Sequence, residues 1–322
     1  TSEDDLASGG SGSVYVTAVT GSITLNDGLD ADNRGISTFD GDILLHAAVD
    51  ITVSADVVSE GSDAAGGDVG LIAGQDVLQN EDILTSNGDV LVNAGRHITM
   101  LADSVTTTTR TDDGNILLIA ADTIQVGLLE ATEVSSSTGT VSLEAGVDIR
   151  DTNTDSRTNI RSTNLWLDAG GTIGDHDNLT STPLVNDNAL DTEVTTVAAR
   201  SATGIYLREA DAGVDLIVDE VPNVVVQVDV TRVNFNSTQT AVNATDAPVS
   251  ATNAPTLADF EDLETSSDGP IKVIVEEGTL TVNDGADTDE HGVSADGSGN
   301  VLLEARETAG ATTADVVLNA DV

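Results

Sequence analysis

The sequence predicts an all-β fold, a parallel β-helix solenoid with coils of about 21–26 residues and a strand-poor spacer late in the chain. Three observations predict it. A short motif, G-[DNT]-[IV]-x-[LV]-x-A, recurs as G-D-I-L-L-H-A at Gly41, G-D-V-G-L-I-A at Gly67, G-D-V-L-V-N-A at Gly88, G-N-I-L-L-I-A at Gly114, G-T-V-S-L-E-A at Gly139 and G-N-V-L-L-E-A at Gly299, with a looser G-I-Y-L-R-E-A at Gly204. Neighbouring clear copies begin 21 to 26 residues apart. The apolar residues inside each copy alternate, as Ile43 and Leu45 or Val90 and Val92 do, and no segment carries a capped helical stripe.

Each element of that reading has a physical basis. A second short apolar run often follows the motif, as in Asp50-Ile-Thr-Val-Ser or His97-Ile-Thr-Met, and Gly, Asp, Asn and Ser separate the runs. Two or three short strands joined by tight turns are what one coil of a parallel β-helix requires, and successive coils then stack at about 4.8 Å. Only six residues are aromatic, so Val, Ile, Leu and Ala must fill the interior. That suits a narrow core of stacked aliphatic side chains better than a globular core, which draws much of its buried area from rings. A β-sandwich is the alternative, but its strands would not reproduce one motif so often.

A longer repeat lies over the short one. Residues 4–37 align without a gap on residues 261–294, an offset of 257. G-S-I-T-L-N-D-G-L-D-A-D-N-R-G-I-S from Gly21 answers to G-T-L-T-V-N-D-G-A-D-T-D-E-H-G-V-S from Gly278, and D-I-T-V-S-A-D-V from Asp50 to D-V-V-L-N-A-D-V from Asp315. The chain therefore divides into the β-helix coils of one module over 1–182, a divergent Pro/Ser/Thr/Asn-rich segment and module-end spacer over 183–260, and the start of the next module over 261–322, which repeats 4–58. Four of the five prolines, Pro183, Pro222, Pro248 and Pro255, fall in that middle segment, and residues 236–257 are poor in strand pattern. With no initiator Met, and a strand-like pattern running to its last residues, the sequence reads as a piece of something longer.

Composition narrows the function. Eleven Lys and Arg stand against 56 Asp and Glu, a formal net charge of −45. Such a field repels nucleic acid and anionic membranes, attracts divalent cations and keeps a chain soluble in brine as readily as in ordinary secretions. No cysteine is present, which excludes disulfides and thiolate metal sites. No apolar run reaches the length of a membrane span.

The coil motif, the N-D-G-x-D-x-D module start and the segment N-A-L-D-T-E-V-T-T-V-A-A at Asn188 resemble the giant repetitive surface and secreted proteins of bacteria related in style to filamentous-haemagglutinin adhesins. That resemblance implies a right-handed β-helical rod, exported to the cell surface or beyond it, serving adhesion, surface coating or cell–cell contact. The function expected is a structural rod or filament segment whose partners are further copies of the same module, with an adhesin module binding glycans or other cells as the alternative. A polysaccharide-active β-helix enzyme is the remote one: a glycosidase needs two placed carboxylates, but Asp is abundant enough here for pairs to arise by chance. No catalytic residue is assigned.

One candidate site stands out, the acidic loop at each module start: Asp27, Asp30 and Asp32, repeated as Asp284, Asp287 and Asp289. Calcium takes six to eight oxygens, and carboxylates close together on a glycine-containing turn can supply several. The spacing D-x-x-D-x-D is not an EF-hand, so a solvated polar turn stands beside calcium as a reading. The four histidines, His46, His97, His176 and His291, are scattered without ligand spacing, and the sequons at Asn178, Asn236 and Asn243 carry no assigned role.

Overall fold

A computed structural model describes residues 6–8, 10–28, 32–61, 66–109, 114–131, 139–153, 157–175, 188–210, 214–246, 261–285, 289–307 and 314–322. All regular structure among them is β, and the strands pair in parallel except in one hairpin. The fold is the parallel β-helix that the repeats predict. Its residues fall into two compact units.

In the first unit, each coil contributes three short strands and so builds three parallel sheets. One sheet stacks β2 (Val14–Ala18), β5 (Ile43–Ala47), β8 (Val69–Ala73), β11 (Val90–Ala94) and β14 (Ile116–Ala120). The second stacks β3 (Ile23–Asn26), β6 (Ile51–Ser54), β9 (Val77–Gln79) and β12 (Ile98–Met100). The third stacks β1 (Leu6–Ser8), β4 (Arg34–Thr38), β7 (Asp56–Ser59), β10 (Ile83–Ser86), β13 (Val105–Thr109) and β16 (Leu128–Ala131).

Register follows the motif. Val14, Ile43, Val69, Val90 and Ile116 form one column, Val16, Leu45, Leu71, Val92 and Leu118 the next, and Ala18, Ala47, Ala73, Ala94 and Ala120 the third. Because side chains alternate across a strand, the three apolar positions of each motif point inward together, and a one-residue slip would turn them all out. Ile43, Leu45, Leu71, Ile51, Val57 and Ile83 are wholly buried.

The motif glycine marks a corner where coils touch through backbone. A Cβ on Gly67 would lie 2.2 Å from the Gly41 carbonyl oxygen, and one on Gly88 would lie 2.2 Å from that of Gly67. Only glycine lets these corners stack. Just before each corner a buried hydroxyl holds the turn: Thr38 Oγ1 donates to the Gly41 carbonyl at 2.5 Å, and Thr85 Oγ1 to that of Gly88 at 2.7 Å.

The second unit contains β15 (Ile124–Val126), β17 (Thr140–Ala145), β18 (Ile149–Asp151), β19 (Ile160–Ala169), β20 (Thr172–Ile173), β21 (Leu190–Ser201), β22 (Gly204–Glu209), β23 (Leu216–Val218), β26 (Leu263–Thr265), β27 (Ile271–Glu276), β28 (Leu280–Val282), β29 (Val293–Ala295), β30 (Val301–Arg306) and β31 (Val316–Leu318). A single column, Ile124, Ile149, Ile173, Ile205, Ile271 and Val301, runs through its sheet β15–β18–β20–β22–β27–β30. Trp166, the one tryptophan, sits on an outward-facing position of β19, where Ala198 and Val221 bury it to 1% exposure.

The long repeat is also a repeat of pairings. Leu6 pairs with Ile36, Val14 with Ile43 and Ile23 with Ile51 in the first unit; Leu263 pairs with Val293, Ile271 with Val301 and Leu280 with Val316 in the second. Residues 183–260 hold more regular structure than their composition suggests. They include the solenoid strands β21, β22 and β23, and the remaining two strands, β24 (Val226–Val233) and β25 (Gln239–Asp246), form an antiparallel hairpin. The polar sequence of β25 hides this, since only one side of the hairpin is apolar.

Removing volume from a column should be costly because each side chain contacts its copies in the coils on either side. Leu45→Ala is expected to lower stability by about 2–5 kcal/mol in a denaturant titration, whereas substitution of the outward-facing, exposed His46 in the same strand should leave it within about 0.5 kcal/mol.

Candidate functional site

The module-start loops are built twice to one design. Asp32 Oδ1 accepts the backbone N–H of Arg34 at 3.0 Å, and Asp289 Oδ1 accepts that of His291 at 2.8 Å. The residue between takes a left-handed conformation in both copies, Asn33 at φ 64° and Glu290 at φ 69°. Its carbonyl then accepts from the neighbouring coil, Asp56 N in one and Asp321 N in the other, each at 2.7 Å. Asp32 and Asp289 are thus turn caps. Asp27 and Asp284 differ: each has one buried Oδ1 without a hydrogen-bond partner. Asp30 and Asp287 lie outside the described residues. No group of three or more side chains placed to hold a metal ion occurs among the described residues.

Carboxylates do more work at the coil corners. Asp42 Oδ1 accepts Asp68 N at 2.9 Å, Asp68 Oδ1 accepts Asp89 N at 2.8 Å, and Asp89 Oδ1 accepts Asn115 N at 2.7 Å. These are the [DN] positions of the motif, stacked into a ladder in which each side chain satisfies the backbone of the next coil. A second corner repeats the device with Asp50 and Asp76, and a third with Asp56 and Asp82, whose Oδ1 accepts Val105 N at 2.8 Å. The second unit uses it too, with Thr172 N donating to Asp148 and Thr279 N to Asp215, both at 2.8 Å.

The hairpin closes over the first of these corners. Val226, Val228 and Val230 point down from β24 onto outward-facing Leu44, Leu91 and Leu117, with Tyr15, Ile72 and Ile119 packed at the edge. The outward residue of β8 is Gly70, where neighbouring copies of the motif carry Leu. A Cβ there would lie 2.9 Å from Leu44 Cδ1 and 3.2 Å from Val228 Cγ2. Gly70 is therefore the hole into which Val228 fits. The sequence offers two signals for this site: the irregular glycine inside a regular motif, and the alternation of Val226, Val228 and Val230 just before a polar run.

Docking also brings Asp229 against the acidic ladder. Its backbone N–H donates to the Asp42 carboxylate, while its charge opposes those of Asp42 and Asp68. Burial pushes Asp68 up from the ordinary 3.8 to about 7, and repulsion from Asp42, Asp89 and Asp229 adds to it against the hydrogen bond from Asp89 N. Burial raises Asp42, Asp56, Asp82 and Asp89 as well. Asp76 goes the other way, held low by the hydrogen-bonded Arg96 guanidinium.

No protein-family model, no curated protein and no solved structure matches this chain. The described surface offers an apolar ridge closed by a strap, a ladder of desolvated carboxylates and a set of repeated turns.

Two outcomes follow from the strap and its ladder. Gly70→Leu, which restores the motif consensus, should expel Val228; limited proteolysis should then cut the hairpin first, and the melting temperature should fall. For pH, an acid whose folded pKa lies above its unfolded value holds its proton more tightly when folded, so stability declines as pH rises between the two. For Asp68 that window runs from 3.8 to about 7. The melting temperature should fall across it and level off above. Asp68→Asn keeps the acceptor oxygen, and should flatten this profile by raising the melting temperature near about pH 8 while changing little near about pH 4.

Proposed function

We propose that this chain is a structural rod segment of a giant extracellular or cell-surface repeat protein, a scaffold, coat or cell–cell contact fibre, acting without catalysis. The observation that carries this reading is the junction between modules. Strand β26, the counterpart of β1, pairs in parallel with β21 through Ala199 and Leu263. Strand β27, the counterpart of β2, pairs with β22 through Leu207 and Val273, and β28, the counterpart of β3, pairs with β23 through Leu216 and Leu280. The first coil of the second module thus sits on the last coil of the first by the same backbone ladder that joins coils within a module. Leu207 and Val273 are buried there to 1% exposure or less. A joint of this kind adds modules without a linker, and further copies of the module are accordingly the proposed partners.

The surface chemistry suits that role. A net charge of −45 keeps a long repetitive array soluble and resists nonspecific association. Glycine corners and Asp ladders staple each coil to its neighbour, and hydroxyl caps hold the turns, in a chain without cysteine.

Small-angle scattering on the 322-residue protein tests the rod: an elongated particle is expected, and a compact one overturns it. Val273→Asp tests the joint. It places an unpaired charge in a buried column, so it should lower stability by about 3 kcal/mol or more and loosen residues 261–322, which limited proteolysis should then remove first. For the acidic loops the proposal includes calcium held through Asp27 and Asp284, whose buried oxygens lack a hydrogen-bond partner. Calcium should then raise the melting temperature by mass action, more in the wild type than in an Asp27→Asn, Asp284→Asn variant; an equal rise in both would leave only general screening of the charge.

A further inference from the structure

The hairpin that straps the first unit has an end that the strap does not use. Beyond Val230 its residues leave the apolar ridge, and Thr231, Arg232 and Val233 are exposed. The reversal is closed by its own hydrogen bonds: Asn234 N donates to the Thr238 carbonyl and Ser237 N to that of Asn234, both at 2.9 Å, with Ser237 at φ 63°. Side chains tie it further. Asn234 Nδ2 reaches Thr238 Oγ1 and Thr240 Oγ1, and Asn236 Oδ1 accepts from Thr238. A tip braced in this way holds one shape before anything touches it.

What the tip displays departs from the rest of the chain. Phe235, one of three phenylalanines, is 113% exposed, and Val233 is 68% exposed. From Val230 to Thr245, 16 residues, there is no Asp or Glu, in a chain of 322 residues with 56 of them. Arg34, Arg96, Arg150, Arg161 and Arg200 each reach a carboxylate of their own chain. Arg232 reaches none among the described residues. An open aromatic ring and an uncommitted guanidinium share one preformed, acid-free turn.

We propose that this tip is a contact point for a second copy of the chain, with Phe235 and Val233 packing on the partner's solenoid flank and Arg232 taking one of its carboxylates. Charge complementarity selects the occupant. The tip carries a single positive charge, and the surface that best complements it is one crowded with carboxylates and poor in Lys and Arg, which is this chain's own flank, with 56 acids against 11 bases. The donor patch and the acceptor surface are different, so each copy offers both and the contact is head-to-tail in kind. A hairpin tip covers less than the roughly 1,200 Å² of a stable interface, so the contact is weak and shows itself at high protein concentration. Whole copies repel at low ionic strength; salt shortens that repulsion to about 3 Å near 1 M while the apolar contact persists. The inference stands on the tip alone and does not rest on the rod reading.

Sedimentation equilibrium of the 322-residue protein in about 0.1 M and about 1 M salt tests it. Association is expected to be stronger in the higher salt. Phe235→Ser should weaken it at least about tenfold and Arg232→Gln about threefold, the scale of an anchoring residue and of a rim charge. Both residues are exposed, so the melting temperature should not move. Val19→Ser, which removes a different exposed apolar side chain, should leave association unchanged. The proposal is overturned if the variant carrying both Phe235→Ser and Arg232→Gln associates as the wild type does, including the case where Leu318→Lys at β31 abolishes association instead, which would leave end-to-end stacking intact as a reading. It is equally overturned if the wild type stays monomeric at high protein and high salt. Binding on a glycan array that Phe235→Ser removes, from a protein that stays monomeric, would also overturn it and reassign the tip to a sugar.

Discussion

Everything in this protein depends on the parallel backbone ladder between one coil and the next. Each short strand is marginal alone, since three to six residues bury too little to offset the entropy of ordering them. It becomes stable because its N–H and C=O groups are satisfied on both edges by copies of itself. That arrangement requires every coil to return to the same height with the same phase. Gly41, Gly67 and Gly88 meet the first demand by letting corners approach within backbone contact, and Asp42, Asp68 and Asp89 the second by tying each corner to the next through a side-chain acceptor.

The acidic character then has two origins that composition alone merges. Some carboxylates are structural: Asp42, Asp68 and Asp89 are partly buried, accept backbone N–H groups and resist ionisation, because burial raises their pKa values. Others are surface charge, and set solubility and long-range repulsion. The first kind explains why Asn can stand at Asn115 and Thr at Thr140 in the same motif position, since those side chains also offer polar groups at the corner without a charge. The second explains why the few arginines are mostly drawn into pairs, such as Arg161 with Glu193 and Arg200 with Asp168.

The hairpin shows how a regular solenoid makes room for an exception. Outward positions of a motif are ordinarily free to vary, yet Leu44, Leu91 and Leu117 present an apolar ridge that water would penalise. Strands β24 and β25 remove that penalty, and Gly70 gives Val228 the space to do so. Trp166 in the second unit is handled in a simpler way, under Val221 and beside Ala198. In both places an apolar residue facing out of the coil identifies a surface that something else covers.

The sequence by itself determined the fold class, the coil length, the inward columns and the 257-residue repeat, because a solenoid makes each of these a local, periodic property. Alternation at Ile43 and Leu45 states which side faces in, and the spacing from Gly41 to Gly67 states how long one coil is. It also marked Asp32 and Asp289, as candidate calcium ligands or as residues of a polar turn, and the structure adds the hydrogen bonds by which they cap that turn. Only the tertiary structure decided what residues 224–246 do. Their partners, Leu44, Gly70, Leu91 and Leu117, lie more than 100 positions earlier in the chain, and no period connects them. The ionisation of Asp68 was equally out of reach, since it depends on burial and on Asp42, Asp89 and Asp229 converging from separate coils and a hairpin. Periodicity reveals contacts between equivalent residues; contacts between inequivalent ones exist only once the chain has folded.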